Sequence, residues 1–214
     1  MSFTVHARRV RDGALPHAHR RSALRSAVVL FRPFGFQATW SYLGTVGDLD
    51  RDGDALLRAL AKVESSRRAG IAERAAFAER RRAEKLTLHR RCPSAADVAY
   101  FRGPRWPGPD GHAAAVHEVA RLWRVQAGAA AATTEGEPAA LDRALCDHIA
   151  AYLAAGGRLD RHRRELIVQC LPGLHRWASL EHGMAGAGAY PYVRRLVGMA
   201  EVILNDPGEP PRRL

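Results

Sequence analysis

The sequence predicts an all-α protein, a helical bundle with a small N-terminal helical region, and three observations carry that expectation. Apolar residues recur at spacings of three and four in separate stretches: Leu56, Leu57, Leu60 and Val63; Val116, Val119, Ala120 and Trp123; Leu141, Leu145, Ile149 and Tyr152; Val193, Leu196, Val197, Ala200 and Ile203. That period gathers each set on one helix face. Helix-start residues stand before or at the head of three of these patterns, Asp54, Pro138 and Pro191. Strand signals are few, because "FTV" near the start and "AVVLF" at 27–31 lack a hairpin partner.

Taken in order, residues 1–21 are polar and basic, with Arg8, Arg9, Arg11, Arg20 and Arg21 around a Gly-Ala-Leu-Pro interruption, and are expected to form a mobile arm. A first helix is expected from about Arg20 to Phe34, with Pro33 near its end. The Gly- and Asp-rich stretch 44–54 leads to Asp54 as the expected cap of the next helix. Gly70 is expected to break that helix from the charged "AERAAFAERRRAEK", whose apolar face is thin. "RGPRWPGPDG" at 102–111 marks a loop. "DRHRRELIVQCLPGLHRWASL" at 160–180 is apolar on more than one side, with a kink expected at Pro172, and reads as a helix buried in this chain or against another subunit. The expected division is 1–54, a basic arm and abbreviated N-terminal helical region, and 55–214, a helical bundle.

The formal charge of +11 favours a polyanionic partner. Three scattered cysteines, Cys92, Cys146 and Cys170, fit a reducing cytoplasm, and no apolar run reaches the ~20 residues of a membrane span. "DLDRDGD" at 48–54 opens like a calcium loop, but the twelfth position, where a bidentate glutamate belongs, is Ala59, so it reads as a solvated turn. The ten histidines lack metal-ligand spacing, and neither a phosphate-binding glycine loop nor a nucleophile elbow is present. No metal, cofactor or enzymatic activity is expected.

The series Ala27, Leu30, Phe31, Gly35, Phe36, Thr39 resembles the start of the tetracycline-repressor (TetR) family of bacterial transcriptional regulators. In that family the Ala and the Leu-Phe pair lie on the core face of the first helix, Gly ends it, an aromatic packs back and Thr caps the next. Residues 144–180 and "YVRRLVGMAEVIL" are similar, in general character, to its penultimate helices and its long dimerisation helix. The chain departs from the pattern after Thr39. Only 16 residues separate Thr39 from Leu56, too few for the roughly 20 of a helix-turn-helix, and the family's Ala-Gly-Val turn and Tyr-x-x-Phe recognition helix are absent.

The resemblance implies a homodimeric DNA-binding regulator, with a small-molecule effector shifting the population between two spacings of the N-terminal regions. Candidate DNA-binding residues are Arg20, Arg21 and Arg25 on phosphates and Gln37, Thr39, Trp40 and Tyr42 near bases. Trp123, His148, Tyr152, His175 and Trp177 either pack in the core or line an apolar ligand cavity with a few polar handles. The competing expectations are a sequence-independent nucleic-acid-binding protein and a helical interaction protein without DNA binding. Segment 40–54 discriminates: a formed helix favours specific readout.

Overall fold

The computed structural model of the chain describes residues 1–128, 136–183 and 190–208, and among them it contains nine α-helices and no strand. The protein is all-α. It divides into an N-terminal unit, residues 1–102 with 106–110, and a C-terminal unit, residues 103–105 with 111–214.

The N-terminal unit is built from α1 (Phe3–Arg11), α2 (His17–Leu30), α3 (Phe36–Leu43), a 3-10 turn (Gly44–Val46), α4 (Gly53–Thr87) and α5 (Ala95–Arg102). Residues 1–21 are therefore not a mobile arm. Phe3, His6, Ala7 and Val10 recur at three and four, are all buried, and seat α1 against α2. The strand signals resolve as helix, "FTV" in α1 and most of "AVVLF" in α2. The second helix starts earlier and stops sooner than Arg20 to Phe34. It begins after Pro16 and ends at Leu30, where the Phe31 N–H donates to the Ala27 and Val28 carbonyls.

α4 is one continuous 35-residue helix. Its N-cap is Asp52, whose carboxylate accepts the Asp54 N–H at 2.7 Å, so Asp54 sits in the first turn instead of capping it. Gly70 does not break it. A Cβ there would lie 3.2 Å from Cγ of Pro107, so the glycine is the position where the returning segment 106–110 presses onto the helix. An interior glycine costs ~1 kcal/mol relative to alanine, and here a side chain would crowd Pro107. The expected boundary at 54/55 also falls inside this unit, because Ala55, Leu56, Ala59, Leu60 and Val63 of α4 are fully buried in the core it shares with α1 and α2. The loop 102–111 carries the anchor Trp106, 3% exposed, with its ring 6.4 Å from Phe34 and edge-on to Tyr42 at 4.9 Å.

The C-terminal unit holds α6 (Gly111–Ala127), α7 (Gly136–Ala154), α8 (Arg161–Gly183) and α9 (Tyr190–Asn205). Polar contacts give their directions. Near one end, the start of α6 (His112), the end of α7 (Tyr152) and the start of α8 (Arg164) all bond to Asp206, just past α9. Near the other, Gln126 of α6 meets Arg195 of α9 and Asp142 of α7 meets Tyr192 of α9. The four helices thus run up, down, up, down around Leu145, Ile149, Ile167, Leu174, Leu196 and Ile203. α8 runs through Pro172 and is one-sided within this unit: Ile167, Leu174, Trp177 and Ala178 are buried, while Val168, Pro172 and Leu180 are exposed.

Candidate nucleic-acid interface

The charge is unequally shared. Of the 33 Arg and Lys, 20 fall in the N-terminal unit, against 11 of the 22 Asp and Glu, so this unit carries +9 of the +11.

The three arginines expected on phosphates are engaged within the unit. Arg20 donates from Nε to the Val10 carbonyl at 2.8 Å and reaches the Gly53 carbonyl at 3.5 Å, tying the ends of α1 and α4 to α2. Arg21 pairs with Asp50 at 2.6 Å. Arg25 is exposed, with its guanidinium 5.6 and 5.8 Å from the ring centroids of Phe36 and Trp40, which stack on each other. That geometry leaves its N–H edges open.

Segment 40–54 contains the second half of α3, the 3-10 turn, a loop and the first two residues of α4. Thr39 is wholly buried inside α3 and caps nothing; the N-cap is Gly35, at φ 88°. The glycine serves the start of α3 and not the end of α2. Tyr42 is 5% exposed, and burial followed by Asp110 holds its phenol above the usual range. Neither residue can reach a base edge. Leu30, expected on the core face, is 52% exposed. Trp40 is half-buried, and within α3 Gln37 alone is exposed.

What the fold does assemble is a basic cleft of about 520 Å³ between α1 and α4, lined by Phe3, Thr4, Ala7, Arg11, Glu64, Arg67 and Arg68. Glu64 is its one carboxylate and is held by Arg11. The Arg67 guanidinium lies 4.9 Å from the Phe3 ring centroid. Arg68 is exposed and without an ion pair among the described residues, as are Arg8 and Arg9 on α1. Sequence reasoning missed this cleft because it read α1 as an arm. The signal was present in Phe3, Ala7 and Val10 at i, i+4 and i+7.

A second, apolar groove of about 740 Å³ lies on the opposite side of α4, against α5, lined by Ala76, Phe77, Ala96, Tyr100 and Phe101 with Glu73, Arg80 and Asp97 at its rim. Phe77 and Phe101 pack at 4.6 Å, and Tyr100 stands edge-on to Phe101 at 5.1 Å. Ser94 starts α5 through reciprocal bonds with Asp97: its Oγ accepts the Asp97 N–H at 3.1 Å, and the carboxylate accepts the Ser94 hydroxyl at 2.7 Å. This holds the Asp97 carboxyl below its usual range.

The five candidate ligand residues are not brought to one cavity. Tyr152 is fully buried and donates to Asp206 at 2.6 Å, and Trp177 is in the core. Trp123 is half-buried. His148 is half-buried too, with Nδ1 unpartnered among the described residues. His175 is exposed and lines a small open depression with Ala178, Ser179, Tyr190 and Arg194. The core reading holds for Tyr152 and Trp177 because α7 and α8 turn them inward. Among the described residues no group of three or more His, Cys, Asp or Glu side chains could hold a metal ion, and no helix is long and apolar enough to cross a membrane. No protein-family model, curated protein or solved structure matches this chain.

Proposed function

We propose that the protein binds nucleic acid through the phosphate backbone, using arginines of α1 and α4 and no base-reading helix. The observation that carries this reading is the cleft in which Arg11, Arg67 and Arg68 converge on a unit of charge +9. Arginine forks match phosphate oxygens, and such contacts are indifferent to sequence. The burial of Thr39 and Tyr42 supports the same reading, since it leaves α3 with little to present to a base.

The test is fluorescence anisotropy of the full chain with unrelated duplexes of equal length across a salt series. Affinity is expected to be equal among sequences and to fall linearly in log-log form by ~0.9 per phosphate contact. Replacing Arg67 and Arg68 together by Ala should flatten that slope. Affinity that ignores salt overturns the reading.

A second reading, a TetR-like dimeric regulator with a small-molecule effector, is favoured by one observation: α2 and α3 are two helices joined by only residues 31–35. On that reading a selection from random duplexes returns an enriched sequence, and Gln37→Ala costs ~1–3 kcal/mol on it and little on others.

A further inference from the structure

We propose that the cleft between α1 and α4 is a phosphate-monoester site that seats the terminal phosphate of a nucleic-acid strand, so that the protein prefers phosphorylated ends to internal backbone. This rests on the phosphate-backbone reading above and adds which phosphate the cleft takes. The lining itself sets the charge. Arg11 is bound to Glu64 at 2.5 Å, and that pair cancels within the cleft. Arg67 and Arg68 are the other charged side chains of the lining, and neither has an ion pair among the described residues. The cleft therefore presents two uncompensated positive charges, on successive residues of α4. A phosphate monoester carries close to two negative charges at neutral pH, because its second pKa is about 6. An internal diester carries one. One monoester thus balances the cleft, and one diester does not.

Shape points the same way. The cleft of about 520 Å³ is within the ~300–1,000 Å³ of sites that bury a small ligand. An internal diester brings a nucleoside on each side, whereas a terminal phosphate brings one and turns three acceptor oxygens inward. Those oxygens match guanidinium forks. Arg67 is positioned for this by Phe3, 9% exposed, whose ring centroid lies 4.9 Å from the guanidinium. Thr4 adds a hydroxyl donor to the same lining. Arg8 and Arg9, exposed on α1 and without an ion pair among the described residues, are left for diesters farther along the strand.

The experiment uses the full chain with 20-base-pair duplexes of one sequence, labelled at an internal base, whose 5′ ends carry either phosphate or hydroxyl. At pH 8 and one salt concentration the phosphorylated duplex is expected to bind roughly 10- to 100-fold more tightly, the gain of one charge-assisted hydrogen bond. That ratio should shrink at pH 5, where the monoester has lost its second charge and the diesters are unchanged. It should shrink as well in Arg68→Ala, whose exposed position spares the fold, and in Arg67→Lys, which keeps the charge and removes the fork. Inorganic phosphate and adenosine monophosphate should each erase it by competition. A ratio of one at pH 8 overturns the terminal-phosphate site and leaves the backbone reading standing. The same ratio together with saturable adenosine monophosphate binding that Arg68→Ala abolishes overturns it in favour of a free nucleotide. A ratio that survives both arginine variants places the end outside this cleft and overturns the assignment. Absence of salt-dependent binding to either duplex overturns both readings.

Discussion

The Tyr152 hydroxyl donates to the Asp206 carboxylate across 2.6 Å, and the same carboxylate also meets His112 Nδ1 at 3.0 Å and the Gly208 N–H at 3.0 Å. At the opposite end of the same two helices the roles are exchanged, with Tyr192 of α9 donating to Asp142 of α7 at 2.9 Å. α7 supplies one phenol and one carboxylate, α9 supplies a phenol and the residue just past it the second carboxylate, and both carboxylates are buried.

Removing one phenol leaves a buried carboxylate short of a donor. Tyr152→Phe and Tyr192→Phe are each expected to destabilise the protein by ~1–3 kcal/mol. Asp142 and Tyr152 lie about 15 Å apart along α7 by helical rise, so the double variant should be additive within ~0.5 kcal/mol. Urea denaturation followed by circular dichroism gives the three values. Strong non-additivity would mean the two ends are coupled through the core.

Alkaline pH should loosen the protein. The Cys146 thiol is pushed up from 9.0 to about 12 by burial, then by the neighbouring Asp142 carboxylate, and burial also raises the phenols of Tyr152 and Tyr192. The folded chain then keeps protons that the unfolded chain releases, so stability is full below about pH 9 and declines as pH rises toward 12. The urea midpoint should be lower at pH 10.5 than at pH 7, and by less in Cys146→Ala. The same burial predicts that iodoacetamide at pH 8 modifies exposed Cys92 well before Cys146.

Arg20 separates a structural arginine from a contacting one. Arg20→Ala removes bonds to the Val10 and Gly53 carbonyls and should cost about 1–2 kcal/mol. Arg9→Ala, exposed on α1, should leave stability within ~0.5 kcal/mol. Thermal melts of both variants decide it, and an Arg20→Ala melt equal to wild type would return Arg20 to the list of free cations.

Two adjacent glycines make a paired test. Gly156, at φ 62°, has open space where a Cβ would stand, so Gly156→Ala should cost only the ~1–2 kcal/mol of a left-handed residue. At Gly157, φ 90°, a Cβ would fall 2.3 Å from Val116 Cγ2 and 2.5 Å from His112 Cε1. Gly157→Ala should therefore be clearly the more damaging, and the His112 ring resonances should shift in that variant alone.

The helical class was legible because burial follows period. The sets Leu145, Ile149, Tyr152 and Val193, Leu196, Val197, Ala200, Ile203 are buried as their spacing requires. Three things were hidden for physical reasons. α1 was masked by its arginines, which sit beside a short apolar face and swamp it in any averaged hydropathy. Gly70 looked like a breaker because its propensity is local, whereas Pro107, the residue that requires it, is 37 positions away in sequence. The interface candidates shifted because charge alone does not say which arginines are already spent. Arg20 and Arg21 are held by the fold, while Arg67 and Arg68, in a stretch with no motif, border the cleft.

The exchanged tyrosine and aspartate pairs act as a ruler for chain length. A single-residue insertion in α7 between Asp142 and Tyr152 would turn everything beyond it by ~100° and advance it ~1.5 Å, so both pairs could not form at once. Substitutions on the outward side of the same interval disturb neither pair. Residues 142–152 and 192–206 should therefore drift freely in outward-facing identity among descendants of this sequence while keeping their count, and a library of insertions and deletions should find these two intervals among the least forgiving of the C-terminal unit.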